Sequence, residues 1–184
     1  MKKIIYLILF ISSISNAQVA IGKTTIEGSN TLLDFNSTLG NTKGIILPSI
    51  INIANLETVR YDNPLTPGVA SHVLENGTFI FDYSEGKVKV RQNNVWKDLN
   101  TDPGNTSSII MNSSSDIGLG TIIGSDTSTA IGALILESPN KAMILPKIAN
   151  PHLNVKSPYP GMICYDSVSK SLAVFDGTNW SYWK

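Results

Sequence analysis

The stretch GMICYDSVSKSLAVFDGTNWSYWK, residues 161–184, has an earlier counterpart in GTFIFDYSEGKVKVRQNNVWKDLN, residues 77–100. At a constant shift of 84, Gly161 falls on Gly77, Ile163 on Phe79, Tyr165 on Phe81, Asp166 on Asp82, Leu172 on Val88, Val174 on Val90 and Trp180 on Trp96. Each copy reads as a strand, a polar turn, a second strand, a Gly/Asn turn and a Trp-bearing third strand, which is a small β-meander. Val88 and Val90 alternate with Lys87, Lys89 and Arg91, so one face of that strand is expected to be apolar and the other basic and wet. In the later copy the outer positions hold Ala173 and Phe175, which predicts a covered face. Of the two turns that lead to the tryptophans, Asp176-Gly177 is a stronger hairpin signal than Asn93-Asn94.

The repetition extends upstream once the spacing changes. Lys43-Gly44-Ile45-Ile46-Leu47-Pro48 matches Lys141-Ala142-Met143-Ile144-Leu145-Pro146 at a shift of 98, and Val19-Ala20-Ile21-Gly22 matches Ile117-Gly118-Leu119-Gly120 at the same shift. The fall from 98 to 84 gives the first copy 14 more residues between its Leu-Pro and its Gly, expected as a surface loop. Within the first copy VAIG and TLLDF read as short strands. The run GIILPSIINI is β-branched, but Pro48 denies it a backbone donor, which argues for an edge strand or a strand ending in an irregular turn. Residues 53–60 are expected to hold one helical turn, followed by a loop stiffened by Pro64 and Pro67. Residues 101–116 are rich in Pro, Gly, Ser and Asn around Ile109 to Met111, and read as a linker or as a short strand crossing between units.

Met1, Lys2 and Lys3, a short apolar run from Ile4 to Ile11 and the small residues Ser15 and Ala17 describe a secretory signal peptide over residues 1–17. The apolar run is too short to span a bilayer. Cleavage after Ala17 would start the exported chain at Gln18, with no Cys next to the site to carry a lipid. Loss of Lys2 and Lys3 turns a balance of 14 basic and 14 acidic residues into a net charge of about −2. That is no electrostatic footprint for nucleic acid or an anionic membrane. Cys164 is the one cysteine, so no intramolecular disulfide forms, and it reads as a small hydrophobe rather than a catalytic thiol.

A VGIG-like start, the Lys-(Gly/Ala)-x-x-Leu-Pro centre and the Gly-x-Ile-x-Tyr-Asp to Gly-Thr-x-Trp end together resemble a repeat found in many secreted and cell-surface proteins of Gram-negative bacteria. Gly161, Tyr165, Asp166, Gly177, Thr178 and Trp180 carry the likeness in the second copy; the first departs from it with Asn93-Asn94 in place of Gly-Thr and with its insertion. Relatives of that repeat resemble phage tail-fibre modules, which are β-rich and commonly trimeric. The resemblance implies an all-β chain of two tandem β-meander modules with Gly/Ser/Thr-rich irregular segments, intertwined in a trimer. The boundaries expected are a signal at 1–17, a first module at 18–100, a linker at 101–116 and a second module at 117–184. The function implied is a non-catalytic structural or adhesion module, secreted or held at the outer cell surface, and a homo-oligomer.

Catalytic and cofactor signatures are missing from the sequence, which has no Gly-x-Ser-x-Gly, no phosphate loop and no His/Glu metal spacing. Asp82 and Asp166 recur, but each stands where a strand meets a turn, a place where Asp bonds its own backbone. The expectation is therefore no enzyme, no cofactor and no metal. The aromatics are the better lead. Tyr159, Tyr165, Phe175, Trp180, Tyr182 and Trp183 crowd the last segment, as a platform for a surface glycan, a contact for another surface protein, or filling for a core or chain–chain interface.

Overall fold

The computed structural model describes residues 18–58, 74–111, 120–130 and 132–184. The expected signal peptide at 1–17, most of the insertion with Pro64 and Pro67, and residues 117–119 of the upstream match lie outside them. The described chain is built mainly of strands. In order they are β1 (Val19–Ile21), β2 (Thr31–Phe35), β3 (Ile45–Ile46), β4 (Ser49–Ile50), β5 (Phe79–Asp82), β6 (Lys87–Gln92) and β7 (Val95–Asp98), then β8 (Thr121–Ile123), β9 (Leu134–Leu136), β10 (Ala142–Ile144), β11 (Lys147–Ile148), β12 (Met162–Asp166), β13 (Ser171–Phe175) and β14 (Trp180–Trp183). Two short helical pieces, α1 (Ile53–Thr58) and α2 (Pro151–Asn154), follow β4 and β11.

β4, β5, β6 and β7 form one sheet in that order; β11, β12, β13 and β14 form another. The alternating strands pair antiparallel in one register. Phe79 faces Val90 and Ile163 faces Val174, while Arg91 faces Trp96 and Phe175 faces Trp180. Because side-chain facing has a period of two, a one-residue slip in either sheet would turn its core valines to the outer face. Phe81 and Val88 of the first sheet, Ile163 and Val174 of the second, and Leu47 and Leu99 make one buried core. Full burial contributes roughly 1.5–3 kcal/mol for each such side chain.

The halves of the chain share sheets. β3 leaves its own half and pairs antiparallel with β12, Met162 facing Ile46 and Ile163 facing Ile45. Only a residue without a side chain fits just before it, since a Cβ on Gly44 would lie 2.7 Å from Met162 Cγ and 2.8 Å from the Ile163 carbonyl oxygen. Pro48 then breaks the run, having no N–H to continue a ladder, and its carbonyl accepts the Phe81 N–H at 2.9 Å as β4 joins β5. In exchange β10 pairs parallel with β2, which pairs parallel with β1. β8 and β9 make a separate two-stranded parallel sheet. By its parallel partner and the positive-φ glycine that follows, β8 with Gly124 is the counterpart of β1 with Gly22, so the opening match shifts four residues past residues 117–120.

Two local readings change. Asn93 and Asn94 both take positive φ, 50° and 61°, the pattern of a tight type I′ turn, which Asn tolerates better than other side chains. Asp176 instead stands before the turn, its carboxylate accepting the N–H groups of Thr178 and Asn179 at 2.7 Å each, and Gly177 takes the left-handed φ of 102°. Past β7, a Cβ on Gly104 would lie 1.8 Å from the Asp176 carbonyl oxygen, so the backbone at this point is wedged against that turn.

Candidate functional site

The outer faces of the β4–β7 and β11–β14 sheets are finished differently. On the second, Met162, Cys164, Ala173 and Phe175 are buried together with Ile148 of β11 and with Val155, the residue after α2, and Trp180 is packed alongside. The chain therefore covers Phe175 itself. Phe175 and Trp180 stack at 5.3 Å, tilted by 43°. On the first sheet the same register holds Arg91 over the Trp96 ring at 5.7 Å, a cation–π contact in place of a stack.

Lys89, expected to be wet, is 6% exposed. Its ammonium meets Glu85 at 2.7 Å, Asp98 at 3.2 Å and Asp82 at 3.4 Å. A cation can be buried there because carboxylates from the preceding strand, the turn and the following strand converge on it. Burial works to lower the Lys89 pKa, but the bonds to Glu85 and Asp98 outweigh it and hold it above the usual lysine value. Burial would likewise raise Asp98, yet Lys87 and Lys89 pull its carboxyl below the ordinary range.

The repeated acids cap turns. Asp82, 2% exposed, accepts from the Ser84 and Glu85 N–H groups and from the Ser84 hydroxyl. Asp166, 1% exposed, accepts from the Val168 and Asn150 N–H groups, both at 3.0 Å. At the far ends of the turns that Asp82 and Asp166 open, Gly86 and Lys170 fill equivalent positions, each with left-handed φ. Cys164 is fully buried, and desolvation with the nearby Asp166 charge pushes its thiol up to about 12, which keeps it protonated near neutral pH.

Where the third strands end, the two sheets leave an open polar cleft lined by Lys87, Asp98, Asn100, Ser181, Tyr182 and Trp183. Trp183 and Tyr182 are 46% and 39% exposed. The Trp183 indole N–H donates to the Leu99 carbonyl, and the Tyr182 hydroxyl is bonded to His152 Nδ1 at 2.8 Å, with the two rings edge to face. Asn100 lies buried at the floor. It accepts from the Val88 N–H at 2.8 Å and donates to the Asp102 carbonyl at 2.7 Å and to Asp176 at 3.3 Å, so one side chain joins both sheets.

The six aromatics singled out in the sequence are thus divided. Tyr182 and Trp183 meet at the cleft, Phe175 and Trp180 pack together in the second core, the Tyr159 hydroxyl receives the Ile110 N–H, and Tyr165 lies half-buried beside Lys147 in the middle of the second sheet. Lys87, Asp98 and Asn100 were not foreseen there. Lys87 and Asp98 are on facing strands, and only the register brings them to 2.5 Å. Among the described residues no helix is long and apolar enough to cross a membrane. No family model matches the chain, and no curated protein or solved structure matches it.

Proposed function

We propose that the chain is a non-catalytic structural or adhesion module of the secreted bacterial surface-repeat type, exported to the cell exterior and working as a homo-oligomer, with a trimer as its form. Two tandem β-meander modules are its building units. The observation that carries this reading is the common register of β5-β6-β7 and β12-β13-β14, whose inner faces meet in one core while their acids are spent on turns and ion pairs. Such a construction invests the chemistry-bearing residues in shape. Intact-mass measurement of the exported protein should place its first residue at Gln18, and light scattering at micromolar concentration should give a multiple of the chain mass. An intact Met1 in exported material would remove the surface role; a stable monomer would remove the oligomer.

A second reading, a carbohydrate-binding module, is favoured by the cleft alone. Half-exposed Tyr182 and Trp183 beside Lys87, Asp98 and Asn100 combine ring faces with hydrogen-bonding groups, as sugar recognition needs. Trp183→Ala is the informative variant, because Trp180 is packed on Phe175 and its removal would report folding instead. Glycan-array binding lost in Trp183→Ala with an unchanged melting curve would establish this reading, and an array with no signal for the unaltered protein would dismiss it.

A further inference from the structure

The two parallel sheets of the chain are unequally complete. β2 is flanked by β1 on one side and by β10 on the other. β9, which pairs with β8 as β2 pairs with β1, has no strand on its other side among the described residues. Side-chain exposure follows the same division. Leu33 faces Val19 across the β1–β2 ladder and is 0% exposed; Leu134 faces Thr121 across the β8–β9 ladder and is 46% exposed.

The strand that completes β2 is part of Lys141–Pro146, and the sequence twin of that segment is Lys43–Pro48. In the twin, β3 is paired on β12 along one edge only, and Ile46 is 44% exposed. Among the described residues there is therefore one incomplete parallel sheet and one half-used strand of the kind that completes its counterpart, each showing an apolar side chain to solvent. Exposed strand edges of this sort add a further strand readily, because every N–H and C=O on the edge gains a partner.

We propose that β9 receives β3 from a second copy of this chain, added parallel to β9 as β10 is added to β2. The donor strand stays on β12 of its own chain, so the contact extends a sheet from one copy into the next. The contact is heterologous: the surface that gives, β3, differs from the surface that receives, β9. Such contacts close into rings when the rotation between copies allows and otherwise propagate as filaments. This deepens the structural-module reading and rests on its oligomer.

The full chain carrying a benzophenone side chain in place of the exposed Leu134 tests the contact directly. Equal amounts of this protein and of isotopically heavy unaltered protein are mixed, irradiated and digested. Linked peptides joining the probe to the heavy copy's residues 43–50 are expected. Links from the probe only to residues 43–50 of its own chain would show that β3 closes its own β9, and would overturn the proposal. Links only to other segments, or none, would overturn it as well. Light scattering of the unaltered protein separates the two levels: an oligomer without the 134-to-43–50 link leaves the structural reading standing and removes this contact, whereas a monomer removes both. Leu134→Lys should also abolish the oligomer, since a charge on a receiving strand opposes strand addition. An oligomer unchanged in mass would contradict that. Hydrogen exchange of the unaltered protein gives a readout free of any variant. Amides of β9 should gain protection as protein concentration rises, and protection independent of concentration would speak against a second copy.

Discussion

Asn100 and Lys89 are the two polar side chains whose surroundings decide most at the residue scale. Asn100 spans the sheets through its bonds to Val88 and Asp176. Asn100→Ala leaves the Val88 N–H without its acceptor, so a loss of about 1–3 kcal/mol is expected. Urea unfolding of the variant measures it, and an unchanged midpoint would show that the tether carries no stability. Lys89 gives a pH signature. Asp98 is held below its ordinary pKa by Lys87 and Lys89 against the raising effect of burial, and Lys89 is held above its own by Glu85 and Asp98 against the lowering effect of burial. A carboxyl depressed in the folded state contributes stability that is present above its unfolded value, about 4, and is lost as pH falls through the folded value. A raised lysine contributes stability present below its unfolded value and lost as pH rises through the folded one. The stability gap between the unaltered protein and Lys89→Met should therefore be widest near neutral pH, shrink below pH ~4 and shrink again above ~10.5. A gap that stays constant across that range would mean that Lys89 acts through packing alone. Lys89 is also where alternation misleads: the pattern gives the face of a residue correctly, but whether that face is wet depends on which carboxylates neighbouring strands bring to it.

Turns and edges govern the elements. The Asn93-Asn94 turn needs two left-handed residues, so Asn94→Val, with a β-branched side chain at φ 61°, should cost on the order of 1–3 kcal/mol, while Asn94→Gly should cost nothing or stabilise. Thermal unfolding of the pair distinguishes them, and equal effects would contradict the turn assignment. Gly44 sets the approach of β3 to β12. Gly44→Ala drives a methyl into Met162 and the Ile163 carbonyl and should destabilise by roughly 1–3 kcal/mol, whereas Ala142→Gly, at the exposed counterpart, should change stability by at most about 1 kcal/mol. Matching losses would mean that β3 and β10 are held alike. The strand, turn and strand order of residues 77–100 and 161–184 was legible because alternation and turn residues are local. Parallel pairing was not, since β1 and β2, or β2 and β10, meet through contacts between residues far apart, and short β-branched runs carry no mark of their partner. The burial of Ala173 and Phe175 was legible as a need, but its partners Ile148 and Val155, which lie earlier in the same half, were not.

At the scale of the whole molecule, sharing of strands makes the halves interdependent. β3 belongs by sequence to the first half and by pairing to the second sheet; β10 does the reverse; and the core mixes Leu47, Phe81, Val88 and Leu99 with Ile163 and Val174. A cut after residue 106 would leave the second sheet without β3 and would expose Ile163 and Val174, which are 3% and 0% exposed in the intact chain. Re-exposing two such side chains costs roughly 3–6 kcal/mol, a large part of the 5–15 kcal/mol by which a domain is ordinarily stable. The Gly104 backbone wedged against Asp176 adds a steric reason why the boundary residues cannot behave as a free hinge. Scanning calorimetry of residues 18–184 should accordingly show one cooperative transition, and residues 107–184 expressed alone should lack a folded spectrum. Two separate transitions, or a second half that folds by itself with native-like stability, would mean that the shared strands are decoration on two self-sufficient units.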